Sequence, residues 1–179
     1  MLTNTPTRIG LATRFLHWGM AITILGMLPF GHQLARLEPA LSTLWLYGLH
    51  KSIGITVLAA LLLRIFWHWL TPPPGPITQD KHTANRLAKG VHRAFYLLVL
   101  VVPLSGWIAS SASGLDTILF NRVTLPAIAP TSPAIEDAGF FVHRWSARLL
   151  AAFLILHIAG ALSRRDGTLR RMVLGRAAP

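Results

Sequence analysis

Four long apolar stretches, separated by short polar or proline-rich segments, organise this chain. The first runs from about residue 15 to 34 and holds no charge between Arg14 and Arg36. The second, about 41–70, is interrupted by Lys51 and Arg64. The third, about 92–110, is uncharged from Ala94 to Leu115, and the fourth, about 138–162, carries Arg144 and Arg148 in its first turns. Each approaches the roughly 20 residues that about 30 Å of hydrocarbon demands of a helix. Proline punctuates the intervals: the run Thr71–Pro76 holds four prolines and a glycine, and Pro126, Pro130 and Pro133 lie in the connection 116–137. Prolines there are expected to stop helices. Pro29 and Pro103 fall inside apolar stretches, where membrane helices tolerate them. The first stretch has basic residues before it, but its core is long and no A-x-A site follows, so it is expected to be a retained span. The pattern predicts an all-α integral membrane protein, a four-helix transmembrane bundle in which residues 1–179 form a single domain.

Composition sharpens this. Charged residues make up 13% of the chain, about half of what a water-soluble domain carries, which excludes a soluble enzyme with a polar shell. The absence of cysteine excludes a disulfide framework, a thiolate zinc site, an iron–sulfur cluster and covalent haem attachment through CxxCH. Lys and Arg outnumber Asp and Glu by 17 to 6. With the N-terminus inside, twelve of the basic residues fall on the cytoplasmic side and five on the other, which predicts that both termini are cytoplasmic. Anionic lipid, rather than nucleic acid, is the expected partner of this charge. The six tryptophans lie near the predicted span ends, as interfacial anchors do.

The histidines carry the chemistry. Of eight, His17, His50, His92, His143 and His157 lie in or at the mouths of apolar spans, where an ionisable group is costly and marks function. His32, His68 and His82 fall near span ends or in a loop. His143 and His157 are 14 residues apart on the fourth span, so they face nearly the same way with about 21 Å of helix between them. Each needs a partner at its own depth. His50 opens the second span level with His143, and His17 opens the first level with His157. Two cross-bundle imidazole pairs without carboxylates suit haem b, whose iron takes two axial nitrogens and whose ring is apolar; zinc prefers three or four convergent ligands. Arg64 follows His50 by 14 residues, on nearly the same stripe at the other depth. It either neutralises a haem propionate or snorkels to headgroups, and Arg144 and Arg148 carry the same two readings. His92, beside Lys89 and Arg93, either bonds a quinone carbonyl, replaces His17 as a ligand, or meets lipid phosphate.

The segment Thr13-Arg-Phe-Leu-His17-Trp18, the segment Leu49-His50-Lys51-Ser52-Ile53-Gly54, Arg64, and the His143/His157 helix together resemble the bacterial cytochrome b-561 family, small di-haem four-helix proteins of the inner membrane. The chain is also similar to the cytochrome b subunits of nickel hydrogenase and formate dehydrogenase. The resemblance implies two haem b groups held by His17, His50, His143 and His157, with a quinone contact at His92. The stand-alone branch includes superoxide oxidase, which passes electrons from periplasmic superoxide to ubiquinone. There, a further histidine follows the last ligand by a turn or two; this chain carries Arg164, which thereby becomes a quinone-site candidate. The function expected is membrane electron transfer between a periplasmic donor, superoxide among the candidates, and ubiquinone. The alternative is an anchor and relay for a partner dehydrogenase, hydrogenase or periplasmic redox protein. Arg36, Lys51, Arg122 and Arg144 form a basic set on the outer side that would attract a small anion, diluted by Glu38, Asp116, Glu136 and Asp137.

Overall fold

The computed structural model describes residues 1–38, 40–78 and 82–176. Lys81, one of the twelve basic residues assigned to the cytoplasmic side, lies outside them. Four helices, α1 (Leu11–Leu34), α2 (Leu44–Leu70), α3 (His82–Ala112) and α4 (Pro133–Ser163), are each long and apolar enough to cross a membrane. A hairpin of β1 (Thr117–Leu119) and β2 (Val123–Leu125) stands between α3 and α4, and a short helix α5 (Thr168–Leu174) follows α4.

Helices α1, α3 and α4 outrun the apolar stretches that announced them, whereas α2 begins three residues inside its own. Hydropathy marks where lipid begins, whereas hydrogen bonding continues through polar turns, so α3 starts ten residues before His92 and takes His82 out of the expected loop. Pro133 does not stop a helix. It occupies the first turn of α4, where its missing N–H would be unpaired in any case and its fixed φ suits the helix.

Consecutive helices pack against one another, α1 on α2, α2 on α3 and α3 on α4, whereas α1 and α4 make no close backbone interface. The core between them is thin: Met20, Val57, Leu61, Leu98, Val99 and Leu150. Phe15, Ile22, Leu62, Leu63, Ile155 and Leu156 are exposed on the outer faces, the inverse of a soluble bundle and the arrangement lipid requires. Where α3 packs on α4, a Cβ on Gly139 would lie 2.8 Å from Ala109 Cβ, so only glycine permits that spacing.

The two ends of the bundle are closed differently. At the hairpin end, Ser52 of α2 is wholly buried and accepts a hydrogen bond from the Phe120 amide at 2.9 Å, while its own hydroxyl donates to Gly48 O at 2.8 Å. Phe120 and Asn121, with φ of 47° and 56°, are the central residues of a turn closed by Arg122 N–H to Leu119 O at 2.9 Å, within the three-residue connection between paired Leu119 and Val123. Those dihedrals match the twist of the strands, but a bulky residue rarely adopts them; the Ser52 contact helps hold Phe120 there. At the terminal end, Ile9 N–H donates to Gly175 O at 2.9 Å, Trp18 Nε1 to Met172 O at 3.2 Å, and Arg14 to Val173 O. The buried Arg171 donates to Gly75 O at 2.9 Å and Pro6 O at 3.4 Å. The N-terminal arm, α5 and the proline-rich α2–α3 segment therefore form one layer.

Candidate functional site

His143 and His157 of α4 face two separate clusters. At the hairpin end, the His50 and His143 ring centres are 6.1 Å apart with planes at 79°. His143 Nδ1 lies 2.7 Å from Val102 O. A carbonyl only accepts, so the proton sits on Nδ1 and the Nε2 lone pair is free, as a metal-ligating histidine requires. Two glycines make room for these rings. A Cβ on Gly31 would stand 2.9 Å from His50 Cε1, and one on Gly106 would stand 3.0 Å from His143 Nδ1. Phe30 packs on His50 at 5.7 Å. His50 Nδ1 is enclosed and has no partner among the described residues.

At the terminal end, His17 and His157 are 6.2 Å apart between ring centres. His92 approaches His157 at 5.4 Å, and Phe95 at 5.2 Å. Arg64 Nη1 is 3.3 Å from His17 Nδ1, and its guanidinium carbon lies 6.0 Å from the Tyr96 ring centre. Tyr96 Oη is 2.9 Å from His68 Nδ1. His68 thus joins a cluster that sequence reading assigned to a helix end. The available signal was its position four residues after Arg64, on the same face of α2.

The remaining candidates sit further out. Arg144 is exposed, and Arg148 stacks 4.7 Å over Trp145. Arg164 Nη2 donates to Asn85 Oδ1 at 2.5 Å and Nη1 lies 3.8 Å from Asp166. Lys51 leaves the outer basic set: its Nζ donates to Ser110 Oγ at 2.7 Å and Asp116 O at 3.0 Å, so it ties the hairpin end together instead of facing an incoming ion.

A membrane helix bundle with histidines paired across it at two depths is the frame of a membrane-bound cytochrome. Comparison with known proteins agrees. Residues 8–175 match the family described as prokaryotic cytochrome b561. The chain is 32% identical, over 178 residues, to "Cytochrome b561 homolog 2" of Escherichia coli (strain K12), spanning 96% of this chain and 94% of that protein. The chain belongs to the prokaryotic cytochrome b561 family, and it is a membrane electron-transfer protein.

The family implies haem b, and the imidazole pairs fit it. Two metal–imidazole bonds of about 2.0 Å, with about 1.1 Å from each nitrogen to its ring centre, would give about 6.2 Å between ring centres of two opposed ligands. The two pairs stand at 6.2 and 6.1 Å, whereas His92–His157 at 5.4 Å is too close for the same arrangement. Among the described residues no three His, Asp or Glu side chains are grouped to hold a bare metal ion. One contact would have to change. Arg64 can only donate, so its bond to His17 Nδ1 leaves the imidazole proton on Nε2; were His17 to hold a haem iron through Nε2, that proton would sit on Nδ1 and Arg64 would be free for another acceptor.

Proposed function

We propose that this protein carries two haem b groups, held by His17 with His157 and by His50 with His143, and moves electrons between a donor at the hairpin end and ubiquinone in the bilayer. The observation that carries the reading is the pair of imidazole separations, 6.2 and 6.1 Å, on one shared helix. The haems supply reversible one-electron storage at two depths about 21 Å apart along α4. Two imidazoles leave an iron no open position, so donor and acceptor react at a haem edge or in a separate pocket. Arg64 is the propionate partner at the terminal end, with Arg144 in that role at the hairpin end. His92 and Arg164 are the quinone-side residues: His92 flanks His157 without matching the ligand spacing, and Arg164 closes the same end of the bundle through Asn85.

The charge asymmetry favours an inner-membrane protein with both termini in the cytoplasm, which puts the hairpin in the periplasm. There, Arg36, Arg122 and Arg144 are exposed and favour a small anionic donor such as superoxide. The test is the purified protein's visible spectrum and haem-to-protein ratio, followed by stopped-flow mixing with superoxide in the presence of ubiquinone. Two haems per chain and haem reduction are expected. Colourless protein sinks the haem reading, and haem that stays oxidised sinks the superoxide donor alone.

One observation favours a second reading, a relay for a larger redox partner. Leu115, Ile118, Phe120, Val123 and Ile128 are all exposed around the hairpin, an apolar face that a docked subunit would cover. Co-purification of a redox subunit that restores turnover supports it.

A further inference from the structure

We propose that Arg64 and His68, one helical turn apart on α2, form a single two-pronged carboxylate site for a propionate of the terminal-end haem, with Tyr96 orienting His68. The inference rests on the di-haem reading and adds to it a residue, His68, that no part of that reading needs. Both prongs carry nitrogen atoms enclosed by protein and without partners among the described residues: Arg64 Nε and His68 Nε2. The cluster is continuous. Arg64 lies 6.0 Å from the Tyr96 ring centre, and the Tyr96 hydroxyl is 2.9 Å from His68 Nδ1. In the proposed site the phenol O–H donates to Nδ1, which would place the imidazole proton on Nε2 and make that atom a donor.

Two buried donors without an acceptor cost free energy unless a ligand satisfies them. The ligand must be anionic, because Arg64 is a permanent cation. Protein carboxylates do not fill the role among the described residues. Glu38, Asp116, Glu136 and Asp137 belong by sequence to the hairpin end, Asp166 is engaged by Thr78, Thr168 and Arg164, and Asp80 lies outside the described residues. The acceptor also has to lie beside His17, since Arg64 touches that ring and is released from it when His17 takes up iron through Nε2. A haem propionate meets each condition: it is a carboxylate and arrives with the iron. His68 is a positioning residue here, stabilising the ionised propionate and through it the oxidation state of the nearby iron.

The test is a redox titration of the purified holoprotein, following each haem by its visible spectrum, for wild type, His68→Leu, His68→Gln and Tyr96→Phe. Removing a donor to the propionate favours the ferric state. At a fixed potential the reduced-to-oxidised ratio of the terminal haem should fall about threefold to tenfold in His68→Leu. His68→Gln, which keeps an N–H, should restore most of it, and Tyr96→Phe should fall between. Reconstitution with the dimethyl ester of the haem removes the carboxylates, so the gap between wild type and His68→Leu should then close. An unchanged ratio in His68→Leu, or a gap that persists with the ester, overturns the carboxylate site while leaving the haem reading intact. Should His68→Leu not assemble, Tyr96→Phe decides alone, and wild-type behaviour there overturns the proposal. A wild-type protein without a terminal-end haem brings down the underlying reading instead.

Discussion

The two ends of α4 hold their imidazoles by different means. At the hairpin end the pair is held by shape: two glycines open space for the rings, a main-chain carbonyl fixes His143, and Phe30 covers His50. At the terminal end the pair is held among polar groups: a guanidinium, a tyrosine hydroxyl and two further histidines surround it. Two sites of the same ligand type can thus differ in what they tolerate. The first is sensitive to volume and the second to charge.

The largest effect expected breaks the comparison at its root. On the di-haem proposal, His143→Ala should remove the hairpin-end haem and His157→Ala the terminal-end one, each lowering the haem-to-protein ratio from two to about one, measured by pyridine haemochrome against protein mass. Next comes volume. Gly106→Val forces a side chain against His143 and should destabilise the hairpin-end site by about 2 kcal/mol, read as earlier thermal bleaching of that haem with the other unchanged; equal bleaching of both would contradict the division. Ser52→Ala removes the acceptor of the Phe120 amide and should cost about 1–2 kcal/mol, seen as faster hydrogen exchange at that amide.

The smallest effect concerns Asp166, between α4 and α5. Partial burial pushes its carboxyl up, but hydrogen bonds from Thr168 and Thr78 and the charge of Arg164 outweigh this and hold it below its ordinary 3.8. A depressed carboxyl stabilises the folded form above that ordinary value. The α5 attachment should therefore be intact at neutral pH and weaken as pH falls below 3.8. Asp166→Asn should flatten this acid dependence, measured by proteolysis at α5.

Most of the frame was legible because it depends on one strong signal. Long runs such as Ala94–Leu115 have no soluble alternative, and the 14-residue interval between His143 and His157 brings two rings to one face by helix geometry alone. The hairpin was not legible: its strands are three residues each, and its turn is Phe120-Asn121, which lacks the Asn-Gly signature that reveals such turns. Helix α5 was hidden by its shortness and by two arginines, one of which, Arg171, turns out to be buried. Lys51 read as a free cation because sequence cannot say that Ser110, 59 residues away, will reach it. His68 was passed over for a related reason: its partner Tyr96 lies on another helix.

Helix α4 supplies one histidine to each pair and is the last of the four spanning helices to leave the ribosome. Neither pocket exists while only the first three have been synthesised, however well those three have inserted. Colour should therefore arrive late in biogenesis and at both depths together, and a chain stopped before residue 133 should remain pale even when haem is abundant.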